Sequence, residues 1–245
     1  MSRADGDPLP RWKRLVDLIC CVLAFPFLVL LTVLVGLVMK LLSPGVIFFR
    51  QERVGLNGRR FKIYKFRTMQ VGADTSGHQQ HFARLMRSHV PMQKLDARGD
   101  ARLIPGAWIL RTTGLDELPQ IVNVWRGEMS IVGPRPCIPY EYEQYTAEQR
   151  ERCRSVPGLT GLWQVSGKNR TTFDEMIRLD RAYGDRRSLG LDLWIIVRTI
   201  PALCIQYVDV TRARRAARQA ALAAIPEQTV PDALPGALLR SDPSP

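Results

Sequence analysis

Residues 15–42 read LVDLICCVLAFPFLVLLTVLVGLVMKLL, and from Leu18 to Met39 no side chain carries a formal charge. At about 1.5 Å of helix per residue, this run is long enough to cross the apolar core of a bilayer. It is too long for a cleavable signal peptide, and no small-residue cleavage site follows it. On length alone it reads as a single-pass anchor. Two features favour a re-entrant hairpin instead, with both ends on one side. Pro26 sits inside the run, where it lacks a backbone donor and clashes with the preceding turn, so a kink or break in the helix is expected there. Ala24 and Phe25 precede it, and neither has a hydroxyl to satisfy the freed carbonyl. Basic residues also flank both ends, Arg11, Lys13 and Arg14 before and Lys40, Arg50, Arg53, Arg59 and Arg60 after, so the positive-inside rule selects no orientation. Asp17, one turn after Arg14, is placed to pair with a basic neighbour at the interface.

The whole chain of 245 residues is long enough to bury one globular core with appendages. Lys and Arg outnumber Asp and Glu by 35 to 23, a formal charge of +12, which calls for an anionic partner: nucleic acid, an anionic membrane surface or a phosphorylated substrate. Cys20, Cys21, Cys137, Cys153 and Cys204 show no CxxC spacing, which suits free thiols in a reducing compartment. His78, His81 and His89 are loosely spaced and have no cysteine companions, so no zinc site is expected.

Downstream, Ser43-Pro44-Gly45 stops the helix. VIFFRQERVG and RRFKIYKFRTM follow, separated by Leu56-Asn57-Gly58, and Asn-Gly between apolar-rich runs predicts a β-hairpin. In the second strand Phe61, Ile63 and Lys65 share one face, and Lys62, Tyr64 and Phe66 the other. On these residues alone, Lys62, Lys65 and Arg67 read as a solvated edge strand, with a phosphate-binding ledge as the functional alternative. Residues 71–106 are polar and weakly patterned. Phe82, Leu85 and Met86 have helical spacing, Pro91 interrupts it, and residues 96–106 read as a loop.

The stretch from Leu110 to Pro136, LRTTGLDELPQIVNVWRGEMSIVGPRP, holds the chemistry. Thr112 or Thr113 is placed to cap a short helix with Asp116 and Glu117 in its first turn, where the helix dipole favours acids even without a function. A turn at Arg126-Gly127 and a strand through Ser130, Ile131 and Val132 lead to Arg135, whose backbone is restricted by Pro134 and Pro136. An arginine so placed suits bidentate binding of a phosphate. CIPYEYEQYTAEQRERCR reads mostly as a solvated face. PGLTGLWQVSGKN is either a plain loop or a backbone cradle for a phosphate. LDLWIIVRTIPALCIQYVDV is expected to be too short and too interrupted, by Arg198 and Pro201, for a second span. It reads as an amphipathic segment at the interface, with a buried core helix as the competing reading. Beyond it the chain begins as a basic Ala-rich helix and ends in a Pro-rich tail expected to lack fixed structure.

Taken in order, KRLVDL (13–18), SPG with VIFFRQERVGLNG (43–58), IYKFRTM (63–69), LDELPQ (115–120), VNVWRGEMSIVGPRP (122–136) and PGLTGLWQVSGKN (157–169) closely resemble the monotopic phosphoglycosyl transferases, the bacterial sugar transferases that start glycan assembly on polyprenyl phosphate. The resemblance runs from Lys13 to Thr199. It implies an α/β fold, helix-rich with a short N-terminal β-hairpin, on a monotopic membrane protein with a re-entrant helix-break-helix and interfacial amphipathic helices. The domain plan is then a tail at 1–12, the membrane hairpin at 13–44, a catalytic domain at 45–210 and a tail at 211–245. The implied reaction is phosphosugar transfer from a UDP-sugar to polyprenyl (undecaprenyl) phosphate with release of UMP, at the cytoplasmic face of the bacterial inner membrane. Asp116 falls on the family's nucleophile. Repulsion between a carboxylate and a phosphate calls for Mg²⁺, with Asp116 and Glu117 as its oxygen ligands; Glu117 is ligand or proton acceptor. Lys65, Arg67, Arg135 and Lys168 are the phosphate- or nucleotide-binding candidates. Asp180 aligns with an acidic family position, but Arg181 and Gly184-Asp185 stand where the family carries aromatic residues. No nucleic-acid partner is implied, and a homodimer stays among the options. The other classes are a single-pass anchored basic protein that binds anionic lipid or nucleic acid, and a family member that binds without turnover. Neither the sugar nor the glycan pathway is legible.

Overall fold

A computed structural model describes residues 9–73, 82–86, 88, 90–92 and 102–223. His78, His81, His89, most of the 96–106 loop and the tail beyond Ala223 lie outside the described residues. Helix α1 (Arg11–Leu42) carries the apolar run as one element, and of the kink or break expected at Pro26 the break is absent, since the chain stays helical through it. Its buried positions Lys13, Asp17, Cys21, Leu28, Val35 and Met39 recur every four or seven residues and line one face. The opposite face leaves Leu23, Phe25, Phe27, Leu30, Val33 and Leu37 uncovered.

Both ends of α1 are fastened to the same folded body. Near the start, Lys13 Nζ donates to the Val132 carbonyl at 2.8 Å and pairs with Asp192, while Asp17 Oδ1 accepts from Ser130 Oγ at 2.9 Å and Ile131 N at 2.8 Å. Beyond the other end, Arg67 donates to the carbonyls of Ser43 at 2.8 Å and Val46 at 2.7 Å. The exit folds back so that Ile47 packs over Gly36, with Cδ1 2.9 Å from where a Cβ there would stand.

The expected hairpin pairs β1 (Phe48–Val54) with β2 (Arg60–Phe66), antiparallel, with Val54 opposite Arg60. Its turn places Asn57 at φ 52° and Gly58 at φ 79°, the left-handed conformation that Asn and Gly tolerate best. Ile63 and Phe66 are buried against the inner face of α1 together with Ile121, Val124 and Met129. Asn123, on helix α3 (Ile121–Trp125), completes the open edge of β2: its Oδ1 accepts from Tyr64 N at 3.2 Å and its Nδ2 donates to the Lys62 carbonyl at 2.8 Å. A fully buried amide thus replaces a strand partner, because the edge groups would otherwise be left unpaired.

The expected strand at Ser130–Val132 is β3, and it gains a parallel partner, β4 (Gly158–Thr160), in a stretch read from sequence as a loop. The glycines here permit close backbone approach. A Cβ at Gly133 would lie 2.3 Å from the Val156 carbonyl oxygen, and one at Gly161 would lie 2.3 Å from that of Gly133. After the short helices α4 (Pro139–Gln144), α5 (Ala147–Arg150) and α6 (Leu162–Val165), helix α7 (Phe173–Arg186), capped by Thr172, leads into α8 (Leu189–Ala223). Here the expectation of a short, interrupted segment is corrected: α8 runs through Pro201 without ending, and Leu189–Ala217 is by length and composition sufficient to cross a membrane, as is α1. Residues 211–223, expected to open a separate tail, are the last turns of the same helix.

The Lys13–Asp192 pair joins α1 to α8 where both side chains are only 2% exposed. Replacing Lys13 with Met strands a buried carboxylate, for which the expected loss is about 3–5 kcal/mol. Thermal unfolding of the detergent-solubilised protein should show it as a lower Tm, largely restored in a Lys13→Met/Asp192→Leu double variant. A single variant that melts with the wild type would remove the pair from the account of stability.

Candidate active site

Helix α2 (Ala107–Thr113) ends at Gly114, whose φ of 74° turns the chain into a 3-10 segment, Leu115–Gln120. Neither threonine caps that segment, contrary to expectation: the Thr112 hydroxyl donates back to the Trp108 carbonyl at 2.7 Å and that of Thr113 to Ile109 at 2.8 Å. The tight turn places Asp116 and Glu117 beside β2. Asp116 is 7% exposed.

Glu117 binds two cations at once. Its Oε1 accepts from Lys65 Nζ at 2.8 Å and from Arg135 Nη2 at 2.9 Å, and its Oε2 accepts from Arg135 Nη1 at 3.2 Å. Burial alone would raise the Glu117 carboxyl, but Arg135 and Lys65 together hold it well below the usual range. Burial also pushes Lys65 down to about 8, because the pull of Glu117 only partly offsets desolvation and the repulsion of Arg135 and Arg53.

The loop that presents Arg135 cannot be held through its prolines, which lack N–H groups, so it is held through its carbonyls. The Pro134 carbonyl accepts from Gly158 N at 2.8 Å, that of Arg135 from Arg152 Nη2 at 3.0 Å, and that of Pro136 from Arg53 Nη1 at 3.2 Å. Arg152 in turn pairs with Asp180 at 2.5 Å and donates to Tyr145 Oη at 2.9 Å. Asp180 does not line the cavity described next; it pairs with Arg152 behind the loop, where burial raises its pKa to about 6 against the pull of Arg152.

A cavity of about 320 Å³ collects the predicted residues Asp116, Glu117, Arg135 and Lys168. Lys65 joins them through Glu117. Arg67 does not line the cavity; its guanidinium holds the exit of α1, as described above. The cavity also has walls that the sequence reading missed. Arg111, Thr160 and Gln164 line it, and α8 contributes Ile196, Thr199, Leu203 and Gln206. Gln164 falls within PGLTGLWQVSGKN and was accessible to a residue-by-residue reading. Gln206 was not, since nothing local distinguishes it on a helix read as interfacial. Arg152 was hidden in a run of mixed charge.

Cations beside two carboxylates, in a cavity partly walled by apolar side chains, can bind a phosphate and set an oxygen nucleophile against it. Among the described residues no group of three or more His, Cys, Asp or Glu is placed to hold a metal. The Asp116–Glu117 pair still offers the one or two hard carboxylates that Mg²⁺ takes alongside substrate phosphates and water.

A family model described as bacterial sugar transferase matches residues 10–206. The chain is 40% identical over 194 residues to the exopolysaccharide production protein ExoY of Sinorhizobium fredii, covering 79% of this chain and 85% of that protein. It is 39% identical over 216 residues to a UDP-glucose:undecaprenyl-phosphate glucose-1-phosphate transferase of Caulobacter vibrioides, covering 83% and 75%. It is 32% identical over 197 residues to an undecaprenyl-phosphate galactose phosphotransferase of Salmonella typhimurium, covering 76% and 39%.

With its pKa held at about 8, Lys65 loses its charge as pH rises through that value, so the cavity then offers a diphosphate one cation fewer. The affinity for UDP, used as a diphosphate probe in calorimetric titration, should fall between roughly pH 7 and pH 9. Lys65→Arg, whose guanidinium stays charged, should flatten the profile. A wild-type affinity that holds constant across this range would place the diphosphate away from Lys65.

Proposed function

The chain belongs to the bacterial sugar transferase family, and we propose that it transfers a phosphosugar from a UDP-sugar to a polyprenyl phosphate such as undecaprenyl phosphate, the opening step of exopolysaccharide or related glycan assembly. The observation that carries this reading is the convergence of Asp116, Glu117 and Arg135 on one cavity bordered by α8, with Lys65 bonded to Glu117 behind them. The names of the relatives supply the two substrates.

In the proposed reaction an Asp116 carboxylate oxygen attacks the phosphorus that carries the sugar. The bond from that phosphorus to the oxygen of the UMP leaving group breaks, UMP departs, and the phosphosugar stays on Asp116 as an acyl phosphate. An oxygen of the polyprenyl phosphate then attacks the same phosphorus, and the carboxylate leaves. Division into two steps lets two bulky anions use one site in turn. Arg135 and Lys65 neutralise the transferred phosphate, and Lys168 and Arg111 face the same cavity. With both of its oxygens bonded to cations, Glu117 acts first as the counter-ion that preorganises them. Mg²⁺ belongs to the proposal: Asp116 and Glu117 would hold it, and it would supply further neutralisation of the diphosphate.

The proposed topology is monotopic, with the catalytic body on the cytoplasmic face of the inner membrane. A straight 32-residue helix would be about 48 Å long. Yet Lys13 at one end and Ser43 just past the other both bond to the same body, which favours entry and exit through one leaflet. The free thiols, including the buried Cys137 and Cys153, suit a reducing compartment.

Purified protein incubated with Mg²⁺, UDP-sugars and polyprenyl phosphate should release UMP, and Asp116→Asn should lower that release by about a thousandfold or more. Substantial activity in the variant would sink the nucleophile assignment, and no UMP from any donor would leave only a binding role. Separately, single cysteines introduced before Arg11 and after Ser43 in a cysteine-free background should label from the same side of the membrane. Labelling from opposite sides would establish a spanning helix.

A further inference from the structure

The uncharged polar side chains that line the cavity spend their donors inside the protein. Thr113 donates to the Ile109 carbonyl at 2.8 Å and Thr199 to that of Ile195 at 2.8 Å, which leaves Thr160 as the donor in its 2.7 Å contact with Thr199. Gln164 Nε2 donates to the Leu159 carbonyl at 3.3 Å and Gln206 Nε2 to that of Thr112 at 3.0 Å, and both Oε1 atoms are buried. What remains of the lining is of two kinds. One is charge, from Arg111, Asp116, Glu117, Arg135 and Lys168, and the other is apolar surface.

Leu115, Leu118, Ile131, Leu159, Ile196 and Leu203 line the cavity, and none of them is fully buried. Leu118, Ile131 and Leu159 are backed by the core under α1, and Ile196 by the core around Tyr183 and Ile195. Leu203 closes on the turn before the nucleophile: its Cδ2 lies 3.5 Å from where a Cβ on Gly114 would stand. Apolar walls therefore reach the immediate neighbours of Asp116. A UDP-sugar carries a hexose on one side of its diphosphate and a ribose and uracil on the other. Those groups would lose water to leucine and isoleucine walls that return no hydrogen bond. A prenyl chain has no polar atom to satisfy and gains by covering the same walls.

We infer that this cavity is the acceptor subsite: the phosphate of a polyprenyl phosphate meets Arg111, Arg135 and Lys168, and the isoprene units next to it lie against Leu115, Leu118, Ile196 and Leu203. The inference rests on the phosphosugar-transfer reading for the identity of its ligand. The nucleotide sugar uses the same carboxylate and cations in the first step, and the apolar walls serve only the second. A cavity of about 320 Å³ grips the first units alone, so most of a long prenyl chain lies outside it.

Two measurements test the subsite. In the first, farnesyl phosphate with a diazirine on its first isoprene unit is photolysed with the full Asp116→Asn chain in detergent. Mass spectrometry should place the label on residues 115–118 and on Ile196 or Leu203, and excess undecaprenyl phosphate should remove it. Label confined to α1, or to the uncovered Leu193, Val197 and Ile200 of α8, would overturn the inference. The second measures UMP release, because in a two-step exchange kcat/KM for each substrate reports its own step. Leu203→Gln should lower kcat/KM for undecaprenyl phosphate about tenfold and leave that for the UDP-glucose or UDP-galactose donor within twofold. Leu203→Met should keep most of the acceptor value, and Ile200→Gln, on the uncovered face, should change it little. The retained donor value is the fold control, and if Leu203→Gln does not fold the labelling decides alone. An acceptor value unmoved by Leu203→Gln would overturn the subsite. A loss on the donor side alone would assign the walls to the nucleotide sugar and overturn it equally. Failure of the transfer reading is scored independently, as an absence of UMP release by the wild-type chain.

Discussion

The site depends on one shared counter-ion. Lys65, Arg135 and Arg53 lie close enough together to repel one another. Glu117 resolves the conflict by accepting from Lys65 and Arg135 with a single carboxylate, which ties β2, the 3-10 segment and the proline-flanked loop into one unit. The same contact keeps Glu117 ionised, so the cluster enters a reaction with its charges already placed rather than assembled at a cost. Behind it, Arg152 and Asp180 form a second, closed pair that orients the backbone of Arg135 rather than its side chain. Glu117 and Asp180 thus have different jobs. One faces the cavity and holds cations, and the other is sealed off and holds a carbonyl donor.

The features legible in the sequence are those with local causes. Asn57-Gly58 dictates a tight turn, and the hairpin follows from it. Arg126-Gly127 ends α3, and Ser130-Ile131-Val132 is β-branched enough to be a strand. LDELPQ and the loop at Pro134–Pro136 bring their chemistry with them. What escaped notice depends on partners distant in sequence. Gly158–Thr160 becomes a strand only because Gly133 lets it approach. Arg152 looks like one charge among many until Tyr145, Asp180 and the Arg135 carbonyl surround it. Arg67 shares a strand pattern with Lys65, yet one residue past β2 it turns toward the exit of α1 and the chain's own carbonyls. Helix α8 continues through the proline signal at Pro201 although most of its apolar stretch is uncovered.

Apolar surface and chemistry are joined by the same elements. The buried face of α8 supplies Ile196, Leu203 and Gln206 to the cavity, while Leu193, Val197 and Ile200 on the same helix are uncovered. One helix therefore stands between the reacting groups and whatever apolar medium surrounds the protein. Likewise the inner face of α1 packs on β2 and α3, the elements that carry Lys65 and Asn123, so the depth of α1 sets the depth of the cation cluster.

The pairing of Lys13 with Asp192 also imposes an order on biosynthesis. The two residues are 179 positions apart, so at about 5–20 residues per second the lysine emerges roughly 10–35 s before its partner exists. Throughout that interval Lys13 has no Asp192, and until Ser130 follows 113 positions behind it, Asp17 has no partner there to replace water. A charged first turn of this kind stays hydrated until those partners are made, so the contacts that fasten the start of α1 to the body are among the last that the growing chain can form.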